Sequence, residues 1–239
     1  MTAIDRVRIL VLGDSGVGKT SFVHLAAHNE PLRSPSWTVG CSVEVKLHEY
    51  KEGTKDQKTY FIEFWDIGGS HIHRNSRSVF YYPCHGAILV HDLTNRKSEK
   101  NLHKWVREIS KRQRERKDSN SYMYVPYTSN LLSEDFDQES SFGSSSIPFL
   151  VIGTKLNQVE DRKSHTGHMA SHLGCDEIVM DCLQTRYLAA GTSNAVKLSR
   201  FYDKAIEMRS KLHKDSFTER LNDPISPILS TKFYSPHQD

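Results

Sequence analysis

Apolar and polar positions change period repeatedly along this chain. Val7-Arg8-Ile9-Leu10-Val11-Leu12 is a short, mostly apolar run that ends at a glycine, the pattern of a parallel strand covered on both faces. Val43, Val45 and Leu47 alternate with Glu44, Lys46 and His48. A turn-rich stretch from Glu52 to Asp56 follows, and Tyr60-Phe-Ile-Glu-Phe-Trp65 resumes the β period, so an edge hairpin leads into a central strand. Gly86-Ala-Ile-Leu-Val90 and Pro148-Phe-Leu-Val-Ile152 are further buried-strand runs, and Ile178-Val-Met180 is a shorter one. Between them the period lengthens. Leu102, Trp105, Val106 and Ile109 recur at i, i+3, i+4 and i+7, and Leu198, Phe201, Tyr202 and Ala205 repeat that spacing. Strands alternating with helices predict an α/β fold in three layers, a mostly parallel sheet flanked by helices.

Two segments break the alternation. From about 113 to 147 the chain begins basic and ends in Glu139-Ser-Ser-Phe-Gly-Ser-Ser-Ser146, far longer than an ordinary helix-to-strand connection, and reads as a flexible insertion. From about 214 to 239 three prolines and few large apolar residues predict a disordered tail. The domain proper is therefore expected over 1–213.

The 239 residues, 37% hydrophobic and 26% charged, suit one domain with appendages. A net charge of +3 is too mild to indicate a nucleic-acid partner. No apolar run reaches the ~20 residues of a membrane span, and the residues after Met1 lack a signal-peptide core, so a cytoplasmic location is expected. Cys41, Cys84, Cys175 and Cys182 have no C-x-x-C spacing and read as reduced thiols.

Chemistry concentrates after the first strand. Gly13-Asp14-Ser15-Gly16-Val17-Gly18-Lys19-Thr20 satisfies G-x-x-x-x-G-K-[ST] between a buried strand and a helix starting near Lys19. The glycines allow successive backbone N–H groups to face phosphate oxygens, the helix N-terminus adds its dipole, Lys19 neutralises β/γ charge, and the Thr20 hydroxyl can ligate Mg²⁺. Downstream, Thr38 stands in a loop before the edge strand, where a second hydroxyl could complete the metal shell. Asp66-Ile-Gly-Gly69 follows the central strand and offers a carboxylate near the metal and a backbone N–H, that of Gly69, for a γ-phosphate.

With these motifs, and with Trp65-Asp-Ile-Gly68, Phe80-Tyr-Tyr82 and His85-Gly-Ala-Ile-Leu-Val-His-Asp-Leu-Thr-Asn95, residues of about 6–212 resemble the Ras superfamily of small GTPases, in particular its Rab-like branch. The resemblance implies a six-stranded sheet with five helices, a switch I around Thr38 and a switch II from Asp66 to about Phe80. It also implies GTP or GDP with Mg²⁺ as cofactors, held by Gly13 to Ser21, Thr38 and Gly69, with Thr20, Thr38 and Asp66 serving the metal. Thr154-Lys155-Leu156-Asn157 stands where the family has Asn-Lys-x-Asp, and Asp181-Cys182-Leu183 falls where the last base-contacting loop is expected.

The departures from the family pattern carry consequences. Ser70 replaces the glutamine that orients the attacking water, so hydrolysis is expected to be weak and no catalytic residue is assigned. Asn157 replaces an aspartate, which removes charge-assisted bonds to guanine. Pro31 stands where an aromatic wall for the base often lies. The family's Ser-Ala-Lys is missing near Asp181.

Outside the nucleotide motifs, Lys111-Arg-Gln-Arg-Glu-Arg-Lys117 reads as the solvated basic end of a helix. His71, His73, His165, His168 and His172 lack a metal-binding pattern and read as surface histidines. Tyr81, Tyr82, Trp65 and Phe64 suit either an effector surface or helix-to-sheet packing. The reading that results is an atypical Rab-like regulatory switch acting through effector and regulator proteins, with other small GTPases or their prenylation and delivery machinery as one partner class. A homodimer is compatible with it. The chain ends Ser235-Pro-His-Gln-Asp239 without a cysteine, and Thr2 follows Met1, so no direct lipid anchor is expected. The rival is a pseudo-GTPase scaffold that works through protein contacts alone. A P-loop kinase fits Asp66-Ile-Gly-Gly69 poorly.

Overall fold

A computed structural model describes residues 4–118, 147–159 and 168–222, with the helical backbone only at 112–118 and 215–222. Six strands form one sheet: β1 Asp5–Leu12, β2 Cys41–Tyr50, β3 Lys58–Ile67, β4 Gly86–Asp92, β5 Phe149–Thr154 and β6 Glu177–Val179. Their order is β2-β3-β1-β4-β5-β6. Only β2 runs antiparallel, paired with β3 from Cys41↔Ile67 to Tyr50↔Lys58; the other neighbours are parallel. The helices among the described residues are α1 Lys19–His28, the single turn α2 Arg74–Arg77, α3 Arg96–Asp118, α4 His168–Leu173 and α5 Ser193–Asn222. This is the three-layer α/β architecture that the alternating periods predict.

Central strands sandwiched between helix layers have no solvated face, which is why β1 and β4 read as continuous apolar runs. Val7, Ile9 and Val11 point to one side, against Phe22 and Leu25 of α1 and Phe201, Tyr202 and Ala205 of α5. Leu10 and Leu12 point to the other, against Leu102, Trp105 and Ile109 of α3 and Met169 of α4. Phe64 and Tyr81 are buried, Trp65 is half-buried beneath the Arg8 guanidinium, and Tyr82 is 45% exposed. Of the four aromatics, two belong to the core and Tyr82 faces outward.

β2 reverses the usual arrangement of an edge strand. Val43, Val45 and Leu47 face solvent, while Glu44, Lys46 and His48 turn toward the helix layer. The inward polar groups are paired: Lys46 Nζ donates to the Ala26 carbonyl at 2.8 Å and His48 Nε2 lies 2.8 Å from Asp203 Oδ1.

α3 continues to Asp118 and α5 to Asn222, so helix extends into both segments that the composition sets apart at 113 and 214. Residues 119–146 and 223–239, and His165, lie outside the described residues, whereas Ile147 at the end of the first segment is buried in the core. No helix among the described residues is long and apolar enough to cross a membrane. All four cysteines are free thiols.

Candidate nucleotide site

The site forms where β1, β3, β4 and β5 end on the same edge of the sheet, the place at which parallel α/β sheets bind ligands. After Leu12 the chain must turn sharply into α1, and it does so through positive φ at Gly13 (151°), Gly16 (77°) and Gly18 (93°). Gly13 is required for a second reason: a Cβ there would lie 2.1 Å from the Val90 carbonyl oxygen of β4. The loop therefore presses on the sheet edge with no room for a side chain.

Lys19 is buried, and its ammonium donates to the carbonyls of Gly13 (3.0 Å) and Asp14 (2.9 Å). Burial pushes its pKa below the ordinary lysine value, against the opposing pull of Asp66 and Asp14. A desolvated cation curled over its own loop is placed to meet phosphate oxygens.

Three oxygen-bearing side chains from separate segments converge beside it. Thr20 of α1 donates to Asp66 Oδ2 at 2.5 Å, Thr38 donates to the same oxygen at 3.1 Å, and the two hydroxyl oxygens are 3.0 Å apart. Two hydroxyls and a carboxylate form a hard-oxygen set of the kind Mg²⁺ takes. Asp66 Oδ1 is buried without a hydrogen-bond partner, a polar atom that a cation or its water would satisfy. Burial raises the Asp66 pKa, while the Thr20 hydrogen bond and the charge of Lys19 hold it down. The residues thus fit the metal that the motif implies.

Gly68 and Gly69 fit closely against this assembly. The Gly68 N–H donates to the Gly40 carbonyl at 2.9 Å, which ties the segment after β3 to the one before β2. A Cβ on Gly69 would come within 2.5 Å of the backbone of Gly13, Asp14 and Ser15. Gly69 therefore packs directly on the loop Gly13–Ser15, with no room for a side chain between them. The Ser70 hydroxyl accepts from the N–H of Ile72 at 3.4 Å and caps the 3-10 turn His71–His73. The Ser70 side chain is thus turned toward its own 3-10 turn.

Farther along the same edge of the sheet, Thr154 to Asn157 and Asp181 to Leu183 form two adjacent loops. Thr154, fully buried, stands 2.5 Å from the Val17 carbonyl and 3.0 Å from that of His91, so its single proton bonds one of them while it bridges the phosphate loop and β4. Lys155 adopts φ 60° and its ammonium pairs with Asp92 at 2.6 Å. Burial works to raise the Asp92 carboxyl, and bonds from Lys155 and Thr94 overcome it, leaving it below its usual range. Asn157 is exposed in the turn Leu156–Gln158. Asp181 is buried, and both carboxylate oxygens are engaged by its own loop, one by the Leu183 N–H (2.9 Å) and the other by Gln184 (2.7 Å). Cys182 is buried, with its thiol pushed up to about 12 by desolvation, and Leu183 is exposed. The Leu156 N–H reaches the Met180 carbonyl at 3.3 Å, which brings the two base-side loops together.

Sequence reasoning missed the residues that tie the phosphate loop to α3. Asp14 accepts from Asn101 Nδ2 at 2.6 Å and from Trp105 Nε1 at 3.1 Å. The Arg77 guanidinium stacks 3.9 Å from the Trp105 ring centroid and bonds both oxygens of Glu108 at 3.0 and 2.7 Å. Arg74 (3.1 Å) and Tyr81 (2.9 Å) join it on Glu108. Asn101, Trp105 and Glu108 fall at helical spacing on α3, and that spacing was the one available signal, because Trp105 reads simply as a core position.

The comparisons agree with this geometry. Residues 8–125 match the family model described as Ras of Complex, Roc, domain of DAPkinase. Rab-like protein 3 from Bos taurus is 50% identical over 218 residues, covering 87% of this chain and 88% of the relative. Rab-like protein 3 from Danio rerio is 46% identical over 233 residues, 92% of this chain and 95% of the relative. A more distant likeness, 40% over 113 residues, joins 44% of this chain to 34% of small GTPase-like protein LIP2 from Arabidopsis thaliana.

Proposed function

The chain belongs to the Rab-like small GTPases of the Ras superfamily, and from that premise we propose an atypical Mg²⁺-dependent guanine-nucleotide switch with weak hydrolysis and an output through protein partners. The observation that carries the proposal is the convergence of Thr20, Thr38 and Asp66 beside a buried Lys19. Thr20 and Asp66 lie on fixed elements, whereas Thr38 belongs to the loop between α1 and β2. A metal held jointly by all three would make the position of that loop depend on the nucleotide, which is what a switch needs.

Weak hydrolysis follows from Ser70, whose hydroxyl is turned to its own 3-10 turn. Protein partners are supported by apolar exposure on the side of these loops: Trp37 (85%) and Val39 (80%) before β2, Val43 at the site end of its outward face, and Ile72 and Val79 after β3. Other small GTPases, or the machinery that prenylates and delivers them, are the partner class this reading favours.

One observation favours the rival scaffold reading: at the base end Asp181 is consumed by its own loop and Asn157 offers no carboxylate. A single experiment separates the two. Lys19→Ala should lower GDP affinity by orders of magnitude in calorimetry, because the cation beside the phosphates is lost. Unchanged affinity in that variant would overturn the switch and leave the scaffold.

A further inference from the structure

Away from the nucleotide motifs, the inward face of β2 meets the C-terminal half of α1 at an unusual group of side chains. His24 and His28 stand one helical turn apart, with ring centroids 4.7 Å from each other. Glu44 of β2 reaches across to them, with its Oε2 2.8 Å from His28 Nε2. One donor atom from each of the three lies within 4.8 Å of the other two. Two imidazoles at i and i+4 with a carboxylate from a facing element are the ligand types and spacing of a three-ligand zinc site that leaves a fourth position to water.

We propose that His24, His28 and Glu44 form a binding site for one zinc-type divalent cation, and that the bound cation clasps the base of the loop carrying Thr38. Zinc–ligand bonds of about 2.0–2.1 Å place tetrahedral donors roughly 3.3 Å apart. One donor pair already stands at 2.8 Å and all three lie within 4.8 Å of one another, so the widest separation has to close by at most about 1.5 Å to reach that spacing.

Several surroundings favour a cation here. His28 is in the last turn of α1, where the carbonyl ends of the helix carry partial negative charge. The nearest ammonium on the inward face of β2, that of Lys46, is taken up by the Ala26 carbonyl. With side-chain exposures of 43% for His28 and 35% for Glu44, the site is open enough for a metal to enter and for water to complete its shell. Imidazole nitrogens select zinc, copper or nickel over Mg²⁺, so this site and the oxygen set at Thr20 and Asp66 take different ions.

The position of the site gives it a consequence. His28 closes α1 and Glu44 lies in β2, 16 positions later, with Thr38 between them. Joining the two ends of that loop restricts the conformations it can sample when open. Release of nucleotide requires the loop to open, so zinc should slow it. This second half rests on the nucleotide-switch reading, whereas the zinc site itself does not.

The test uses the full chain, purified with chelator and then freed of it. Zn²⁺ alone, titrated calorimetrically or against a chromophoric chelator, should bind with one equivalent at micromolar affinity or tighter. His24→Ala and His28→Ala should each weaken that equivalent at least tenfold, and Glu44→Gln, which preserves shape, should weaken it severalfold. Co²⁺ in place of zinc should give the visible absorption of a tetrahedral site, lost in the His24→Ala/His28→Ala double variant. The site is overturned if the double variant, with an unchanged metal-free melting temperature, binds zinc as the parent does, or if the parent shows no saturable binding. With the chain preloaded with fluorescent GDP and Mg²⁺, zinc should slow GDP release severalfold in the parent alone. Zinc bound at the site with an unchanged release rate would overturn the clasp. Because the zinc titration contains no nucleotide, its failure is distinct from a failure of the switch reading.

Discussion

Asn157 sits exposed in the turn after β5, and on the proposed switch reading its amide stands where a carboxylate would read the base. An aspartate would accept two charge-assisted bonds from guanine, each worth about 1.5–3 kcal/mol. Asn157→Asp should accordingly tighten GDP by roughly tenfold or more and weaken XDP, both measurable by calorimetry; no change in either would mean that residue 157 does not face the base. His85 is a second residue whose chemistry is set by its surroundings. It accepts the Arg8 N–H at Nδ1 (2.9 Å), and burial, with the charges of Arg209, Arg8 and His213, lowers its pKa from 6.5 to about 4. The folded state keeps His85 neutral while the unfolded chain protonates it near 6.5. Its contribution is therefore full above about pH 6.5 and declines as pH falls toward 4, below which both states are protonated. The loss over that window is at most on the order of 3 kcal/mol. His85→Asn keeps an acceptor near the Nδ1 position and cannot titrate, so urea unfolding between pH 7 and 4.5 should show a shallower fall in stability for the variant than for the parent.

Between elements, the contact that matters most for the site is the one between α3 and the segment from Ser70 to Tyr81. Arg77 is almost fully buried, and its partner Glu108 also holds Arg74 and Tyr81, so one carboxylate fastens three residues of that segment. The same helix holds Asp14 through Asn101 and Trp105. α3 thus sets the phosphate loop and the segment following Asp66 against each other. Removing Arg77 leaves the Glu108 carboxylate largely buried with Arg74 as its remaining cation. Since that site keeps some solvent and a second cation, Arg77→Ala should cost about 2–3 kcal/mol, at or just below the roughly 3–5 kcal/mol of a fully broken buried pair. Hydrogen exchange should then accelerate across 70–82 before it changes in the central strands, and equal acceleration everywhere would contradict the local anchor.

At the scale of the molecule, the sheet carries two separate cores, one on each face, and the nucleotide site lies at the edge where both end. A ligand seated there contacts β1, β3, β4 and β5 through their loops, so binding should be felt by the whole fold. At a free concentration of GDP·Mg²⁺ 100 times its dissociation constant, stability should rise by about 2.7 kcal/mol. That gain should shrink on removing Mg²⁺ with a chelator and disappear in Lys19→Ala, as followed by thermal unfolding. A gain that survives in Lys19→Ala would place the ligand elsewhere.

The periods of hydrophobicity were sufficient for the strands and for the α/β class, because strands covered on both faces leave no polar position to confuse the pattern, as in Val7–Leu12 and Gly86–Val90. The phosphate loop was equally legible, since its glycines, lysine and threonine work through local backbone geometry within eight residues. What depended on partners distant in sequence could not be read. The alternation in β2 marks a strand but not which side faces inward; that was decided by α1 and α5, whose Ala26 carbonyl and Asp203 carboxylate accept Lys46 and His48 and leave the valines outside. Likewise Asp14 reads as one more loop residue until α3 brings Asn101 and Trp105 to it across 87 and 91 positions. His24, His28 and Glu44 are unremarkable in sequence for the same reason: a helical turn supplies the histidine pair, and only the packing of β2 against α1 brings the carboxylate to it.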